Sequence, residues 1–361
     1  MIYCRQCGTQ LNDNSTFCTS CGAPVQQPPY TQAAYNPAPA YAPQAYTRPA
    51  TQHTVLNSYL GIILLSVAFM TFLFTGVGTN SHFLDLMNIS NFMNTFAFML
   101  PLALAAALTT RARGADLSAG SVMLLSQMII AKTIESSGSW VVGLLIALLA
   151  CAVIGTVNGF LSVYLKLPAL AVTGVMFFVV YAVTRLITVM PILVSDFTLA
   201  AFSRGSVGML IFSLLILAAA FMLNMLTSLK TPMFGREKKK EISHFLVYIV
   251  GSVLAAFSGL LLLSRLQMAI PYVGYDYVIF TLFVSGCIAS SRLLDNPYAP
   301  IPVALAAALT WCIKNNVLLL LAVDMYTQLI ISILLTAIFG ALAIINWTAS
   351  RKELPKASIP H

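Results

Sequence analysis

Between residues 57 and 347 the chain is almost entirely apolar, in blocks of about 20 residues parted by short polar breaks. That pattern fixes the solvent before it fixes the fold. At 1.5 Å of rise per residue, a helical block of this length spans the roughly 30 Å hydrocarbon core of a bilayer, whereas helices of water-soluble domains average nearer a dozen residues. A composition of 59% hydrophobic and 8% charged residues over 361 positions agrees. The expected fold class is therefore an all-α polytopic membrane protein with about ten transmembrane helices, preceded by a small Cys-rich module.

The candidate spans are 57–77, 89–110, 118–135, 140–164, 168–190, 207–228, 244–264, 276–290, 299–321 and 325–347. The third and eighth are short. A short apolar segment bracketed by polar residues fits a half-span or a re-entrant helix buried in protein as well as a lipid-facing crossing, so eight to ten crossings are allowed and ten is the expectation. Small residues recur inside the spans, as at Ala105 to Ala107 and at Gly155, Gly159, Gly251, Ser252, Ala255, Ser258 and Gly259. They let helices approach closely where lipid supplies no hydrophobic drive for association.

The first 23 residues are too few to form a core of their own, and a fold of that size needs a metal or disulfides. Cys4-x2-Cys7 and Cys18-x2-Cys21 supply four sulfurs in two knuckles, the spacing of a tetrahedral structural Zn²⁺ site, one ion per chain. Gly8 and Gly22 follow the second Cys of each knuckle, where a positive φ turns the backbone towards the metal. The other reading, two disulfides, requires an oxidising compartment. Residues 24–56 carry seven Pro with Tyr30, Tyr35, Tyr41 and Tyr46 between them and show no apolar face, which predicts a disordered or polyproline tether. A polyproline or phosphotyrosine ligand is a lesser reading of the same stretch. The domain plan is thus ribbon 1–23, linker 24–56, transmembrane domain 57–347 and tail 348–361.

No apolar run precedes the module, so the N-terminus is expected to stay in the cytoplasm. With ten spans and both ends inside, 14 of the 19 Lys and Arg residues fall on the inner side, leaving Lys132, Arg185, Arg204, Arg265 and Lys314 outside or near outer helix ends. The expectation is a multi-pass protein of the cell membrane with cytoplasmic N- and C-termini. The net charge of +8 is then a topology signal, and a ribbon with one Arg and no Lys is far from a nucleic-acid footprint.

Between the second and third spans runs Arg111-Ala112-Arg113-Gly114-Ala115-Asp116-Leu117-Ser118-Ala119-Gly120-Ser121. On physical grounds it is a capping device: Asp116 or Ser118 accepts from free N–H groups of the first turn, and the small residues admit a close neighbour. It also resembles the GIDLSVGS signature of the ribose/branched-chain amino acid ABC importer permeases, through Gly114, Asp116, Leu117, Ser118, Gly120 and Ser121. Three further pieces are similar to that family in order and spacing, from about residue 85 to 347. They are Asn158-Gly159-Phe160-Leu161 leading to Lys166-Leu167-Pro168, then Leu263-Ser264-Arg265-Leu266 with Pro271, Gly274 and Tyr275-Asp276-Tyr277, and last Asn315-Asn316 followed by Tyr326 and Gln328.

The resemblance implies a type II importer permease fold. It implies a path for a small hydrophilic solute of the sugar or nucleoside class, an external solute-binding protein, a second permease chain and separate ABC ATPase subunits that supply the power. Two departures bear on mechanism. After Phe234-Gly235-Arg236 the family has about a dozen further residues with a short helix that docks into the ATPase; here Glu237-Lys238-Lys239-Lys240-Glu241 leads almost directly into the next span. Gly235, Arg236, Glu237, Lys238, Lys239 and Lys240 are thus the docking candidates in reduced form. The family's Gly-rich loop after the eighth span is replaced by Ser290-Ser291-Arg292-Leu293-Leu294-Asp295-Asn296-Pro297. The second reading is a pseudo-permease without powered transport, a membrane scaffold or sensor for the ribbon.

Ionisable groups at membrane depth are functional candidates by default, but Arg185 and Lys314 map near the outer side, where snorkelling to the interface explains them. Asn158, Asn315, Asn316, Gln127 and Asn224 fit either a polar path or bonds between helices, with Asn158, Asn315 and Asn316 the candidates for the translocation path. Cys151, Cys287 and Cys312 lack metal spacing and read as core. No phosphate-binding, zinc-protease, serine-hydrolase or dinucleotide motif occurs, so catalysis by this chain is not expected.

Overall fold

The structure, a computed structural model, describes residues 2–3, 9–11, 17, 20–24, 52–112, 114–204, 207–228, 236–271, 275–291 and 300–352. The chain divides into two units, Met1–Ala50 and Thr51–His361.

In the first unit, β1 (Ile2–Tyr3) pairs antiparallel with β2 (Gln10–Leu11), Ile2 opposite Leu11 and Tyr3 opposite Gln10. A single antiparallel bridge joins Phe17 to Pro24. Each pairing closes a short loop, and each loop carries one CxxC pair. Gly22 has φ 68°, the turn conformation expected of it. Cys4, Cys7, Gly8 and Cys18 lie outside the described residues, and so does nearly all of the 24–56 linker.

The second unit is a helical bundle: α1 (Gln52–Thr79), α2 (Leu86–Ala112), α3 (Ala119–Ser137), α4 (Trp140–Gly159) running on through a π-helical turn at Phe160–Tyr164, and α5 (Ala169–Ile187). Then come β3 (Ile192–Leu193), α6 (Phe197–Arg204), α7 (Val207–Ser228), α8 (Arg236–Leu266), β4 (Met268–Ala269), α9 (Tyr275–Ser290), α10 (Pro300–Leu320) and α11 (Met325–Lys352). Every expected span coincides with a helix. Among the described residues seven helices are long and apolar enough to cross a membrane: α1, α2, α4, α5, α8, α10 and α11. Helices α1, α8 and α11 outrun the apolar blocks at 52, 236 and 352, because hydropathy marks where lipid ends while the i→i−4 ladder continues into the polar flank.

Burial sorts the helices into two layers. In α2, α8 and α10 the apolar stretch is 83%, 67% and 61% buried, against 17%, 22%, 28% and 11% in α1, α4, α5 and α11. The second group forms the face left for lipid. Helix α3, the short third block, is enclosed: Ala119 through Met128 are all buried, against α4, α5 and α8. The short eighth block, α9, is likewise held between α2, α10 and α11. A pairing that the hydropathy pattern did not announce, Ile192 with Ala269 and Leu193 with Met268, links the segment after α5 to the segment after α8, and Asp196 caps the short α6 by accepting from Thr198 N and Leu199 N.

Small residues do close the core, as the sequence suggested. Ala105, Ala106 and Ala107 are at most 1% exposed, and hydroxyls cross between helices: Ser126 to the Ala256 carbonyl at 2.9 Å and Thr110 to Ser285 at 2.8 Å. Pro101 sits inside α2, where it cannot donate to the carbonyl four residues back. That carbonyl belongs to Ala97, and Ser213 of α7 donates its hydroxyl to it at 2.5 Å; Ser258 of α8 serves the Phe98 carbonyl in the same way. A proline at this depth is tolerated because neighbouring helices satisfy the groups it frees.

Candidate functional site

Apart from the short α6, successive helices alternate in direction, so α1 begins at one end of the bundle, called here the near end, and the N-terminus of α2 and the C-termini of α8 and α10 meet at the far end. Asn80, in the α1–α2 connection, donates to the Leu320 carbonyl at 3.1 Å and ties that end together. Between the three helices opens a pocket of about 200 Å³. Helix α2 contributes Asn88, Asn91, Phe92 and Thr95, α8 contributes Arg265, and α10 contributes Cys312, Asn315, Asn316 and Leu319. The lining holds a guanidinium, four side-chain amides and a hydroxyl, with no carboxylate among the described residues. Arg265 donates through Nη1 to Thr95 Oγ1, and its charged carbon lies 5.7 Å from the centre of the Phe98 ring. Asn88 donates to the Phe83 carbonyl at 2.8 Å. The side-chain oxygen of Asn316 is buried and has no hydrogen-bond partner. A neighbouring apolar pocket of about 150 Å³ shares Asn88, Phe92 and Asn316.

One reading of the sequence needs correction here. Lys314 does not snorkel: it is fully buried, donates to Ser332 Oγ of α11 and lies 3.6 Å from the centre of the Trp311 ring. A hydroxyl and an aromatic face within the stem's reach hold the ammonium inside the bundle. Arg185, half-buried in the last turn of α5, is placed as snorkelling requires.

The near end holds the motif residues in a separate, enclosed network. Asp116, 2% exposed, accepts from Ser118 N at 2.8 Å and from Ser118 Oγ at 2.7 Å. Asn158 of α4 donates to Ser118 Oγ at 2.9 Å, Ser121 bonds the Ser118 carbonyl, and Leu117 N donates to Thr173 Oγ1 of α5 at 3.1 Å. The cap at this helix entrance is therefore Asp116, while the Ser118 hydroxyl relays between Asp116 and Asn158 and makes no cap bond. Burial pushes the Asp116 carboxyl above the usual carboxylate range, against the hydrogen bonds from Ser118 and Ala119 that hold it down. Gly114 has φ 147°, a conformation that a Cβ disfavours, and a Cβ on Gly120 would stand 3.1 Å from the Val278 nitrogen of α9.

The structure thus brings Asn315 and Asn316 into one pocket and holds Asn158 elsewhere. Gln127 bonds the Met268 carbonyl and ties α3 to β4, and the side chain of Asn224 lies outside those described. Gly235 also lies outside the described residues, while Arg236 through Lys240 form the first turns of α8, running without a break into a helix of 31 residues. Arg265, Asn88, Asn91 and Thr95 were not among the path candidates. A partial signal was available for three of them: 88, 91 and 95 stand at i, i+3 and i+7 on one face, although Ser90 and Asn94 in the same two turns are polar as well.

Comparison with known proteins adds to this geometry. A zinc-ribbon domain family model matches residues 3–25. The chain is 27% identical over 248 residues to a probable ABC transporter permease protein, y4mJ, of Sinorhizobium fredii, covering 64% of this chain and 73% of that one. It is 25% identical over 285 residues to the galactose/methyl galactoside import permease protein MglC of Salmonella typhimurium, covering 69% of this chain and 84% of that one. No solved structure matches. The chain is a multi-pass membrane protein with a zinc-ribbon motif at its N-terminus, and its similarity to ABC transporter permeases supports a general permease role with no catalytic activity of its own.

Proposed function

We propose that this chain is the permease subunit of an ABC-type importer for a small hydrophilic solute of the sugar or nucleoside class, powered by a separate ATPase. The observation that carries this reading is the far-end pocket, where Asn88, Asn91, Thr95, Arg265, Asn315 and Asn316 gather polar groups inside an otherwise apolar bundle. Polar side chains at membrane depth are costly and mark solute paths. Ten crossings with both termini in the cytoplasm put this pocket on the external side, where a solute-binding protein delivers its cargo. A second permease chain, identical or paralogous, completes the path. The division into 1–23, 24–56, 57–347 and 348–361 follows from the same reading.

In the ribbon, Cys4, Cys7, Cys18 and Cys21 hold one structural Zn²⁺. The residues present fit it: the Tyr3–Gln10 and Phe17–Pro24 pairings each close a loop around one CxxC pair, and Gly22 turns with positive φ. The metal supplies the cross-link that a module of this size lacks. Purified protein is expected to carry about one Zn²⁺ per chain; a Cys4→Ser, Cys7→Ser variant with undiminished zinc would remove the site.

Affinity purification of the tagged full chain from native membranes in mild detergent tests the main reading. Recovery of an ABC ATPase is expected. The second reading, a non-transporting scaffold or sensor for the ribbon, is favoured by one observation: Arg236 through Lys240 enter α8 directly, with no separate docking helix among the described residues. Reproducible absence of an ATPase, with other partners retained through residues 1–23, would establish it.

A further inference from the structure

This inference rests on the far-end pocket being part of a solute path, and it narrows the solute. We infer that the pocket selects an anion: a small hydroxylated molecule whose carboxylate or phosphate pairs with Arg265.

Arg265 carries unspent charge. A guanidinium carries five donors in a planar fork suited to two oxygens of a carboxylate or phosphate. Arg265 uses one donor on the neutral Thr95 hydroxyl and rests beside the Phe98 ring. Among the described residues no Asp or Glu lines the pocket and no carboxylate pairs with Arg265. Lys314, next to Asn315 on α10, is buried at this end of the bundle, but it bonds Ser332, lies against Trp311 and has the Asp276 carboxylate within electrostatic reach, so Arg265 is the cation left without a carboxylate. A half-buried cation with an open face on a pocket is neutralised most cheaply by an anion that enters it.

Helix ends could reverse this sign, since α8 and α10 finish here and a helix C-terminus is partly negative. The last four carbonyls of α10 and two of the last four of α8 are already engaged. In α10 those of Val317, Leu318, Leu319 and Leu320 accept from Leu321, Val323, Ala322 and Asn80. In α8 the Leu263 and Ser264 carbonyls both accept from Gln267. The end of α2, by contrast, presents its positive N-terminus, with Asn88 in its first turn. Arg265 in the last turn of α8 also eases that helix's own dipole, but a side chain turned outward to water would do so equally. This one turns inward to Thr95.

The neutral groups then read the rest of the solute. Asn91 and Asn315 present amides that donate to and accept from hydroxyls, and Asn316 adds a third amide to the lining. The volume of about 200 Å³ is below the range of about 300–1,000 Å³ that holds drug-sized ligands, so the solute is of monosaccharide size.

The test reads charge selection without knowing the natural solute. Single cysteines are placed at the exposed Asn91 and at Asn315, with Ser81→Cys, on an exposed loop, as reference. The full chain in lipid nanodiscs is treated with an anionic (sulfonatoethyl) or a cationic (trimethylammonioethyl) methanethiosulfonate, and labelling at each position is followed by peptide mass spectrometry. The anion-to-cation rate ratio at Asn91→Cys and Asn315→Cys, divided by that at Ser81→Cys, is expected to be about tenfold, the effect of a unit charge some 6 Å away in a water-like dielectric. Arg265→Gln should bring it within about twofold of the reference, and Arg265→Lys should keep it, which separates charge from folding. Millimolar D-galacturonate or D-galactose 6-phosphate should slow labelling at Asn315→Cys while D-galactose does not, and the stronger of the two acids identifies carboxylate or phosphate. A ratio near one in the unmodified pocket, equal protection by D-galactose, or no labelling at either pocket position overturns the inference. ATPase recovery does not depend on the charge of this pocket, so the permease reading stands or falls separately.

Discussion

The two ends of the bundle use the same kinds of residue to opposite effect. At the near end Asp116, Ser118, Asn158 and Thr173 are fully enclosed and bond one another across α3, α4 and α5. At the far end Arg265, Asn315 and Asn316 line a pocket; the side-chain oxygens of Asn158 and Asn316 are each buried without a partner, so the pocket and the single bond made by Arg265 are what set this end apart. The lesson is that the residues by which a sequence is recognised need not be the ones that meet a solute. A motif that caps and cross-links a buried helix serves any cargo, whereas a pocket that reads a solute has to keep its donors and acceptors available. Removing a near-end group should therefore cost stability, and removing a far-end group should cost little or even stabilise.

The largest effect is expected at Asp116. Asp116→Ala leaves the buried Ser118 N–H and hydroxyl without their acceptor, at a cost of about 2–3 kcal/mol in an SDS unfolding titration. Asp116→Asn keeps an acceptor oxygen, and because burial already favours the neutral acid it should cost less than about 1 kcal/mol. The pH dependence follows from the same shift. With the folded pKa above the unfolded value, the folded state binds the extra proton, so this contribution to stability is present at low pH and is lost as pH rises through the folded pKa. Asp116→Asn should flatten that loss. If Asn proves as harmful as Ala, the negative charge itself holds α3 in place and the near end is not merely a cap.

Hydropathy alone made the ten helices and their order legible, because a bilayer enforces both length and apolarity. It also marked the two short blocks that became α3 and the compact α9. The layering was not legible: α4 and α2 read alike as apolar runs, yet one is 22% and the other 83% buried, since lipid and protein interior make the same demand on a side chain. The same ambiguity misled the reading of Lys314, whose position near a helix end fits snorkelling unless Trp311 and Ser332 are known to stand beside it. Asn315 and Asn316 were legible as polar residues in a span. Arg265 was visible as a charge near an outer helix end and as part of a family resemblance, but not as a pocket residue, because its companion Thr95 lies 170 residues away on α2. The strand pair at 192–193 and 268–269 is too short for a periodic signal.

Lys314 gives the opposite sign and a smaller effect. It is held by a hydroxyl and a ring, with the Asp276 carboxylate within electrostatic reach and, among the described residues, no carboxylate bonded to it. Lys314→Met keeps the length of the stem and removes the charge. It should raise stability by about 1–2 kcal/mol, as replacement of buried ionic groups by packed apolar ones often does. A loss of stability of the same size would mean that this end, like the near end, is built for structure.

The smallest effect lies midway between the ends, and it measures what one buried hydroxyl is worth when no solute is concerned. Ser213 donates to the Ala97 carbonyl that Pro101 leaves free. Hydrogen bonds between membrane helices average about 0.6 kcal/mol, but this carbonyl has lost its intrahelical donor and should cost about 1 kcal/mol when orphaned by Ser213→Ala. The double variant with Pro101→Ala restores the helical N–H and should recover most of that loss in a double-mutant cycle. Without recovery, the Ser213 hydroxyl serves packing of α7 on α2 and not the proline, and its cost could not be used as the yardstick for the polar groups at the two ends.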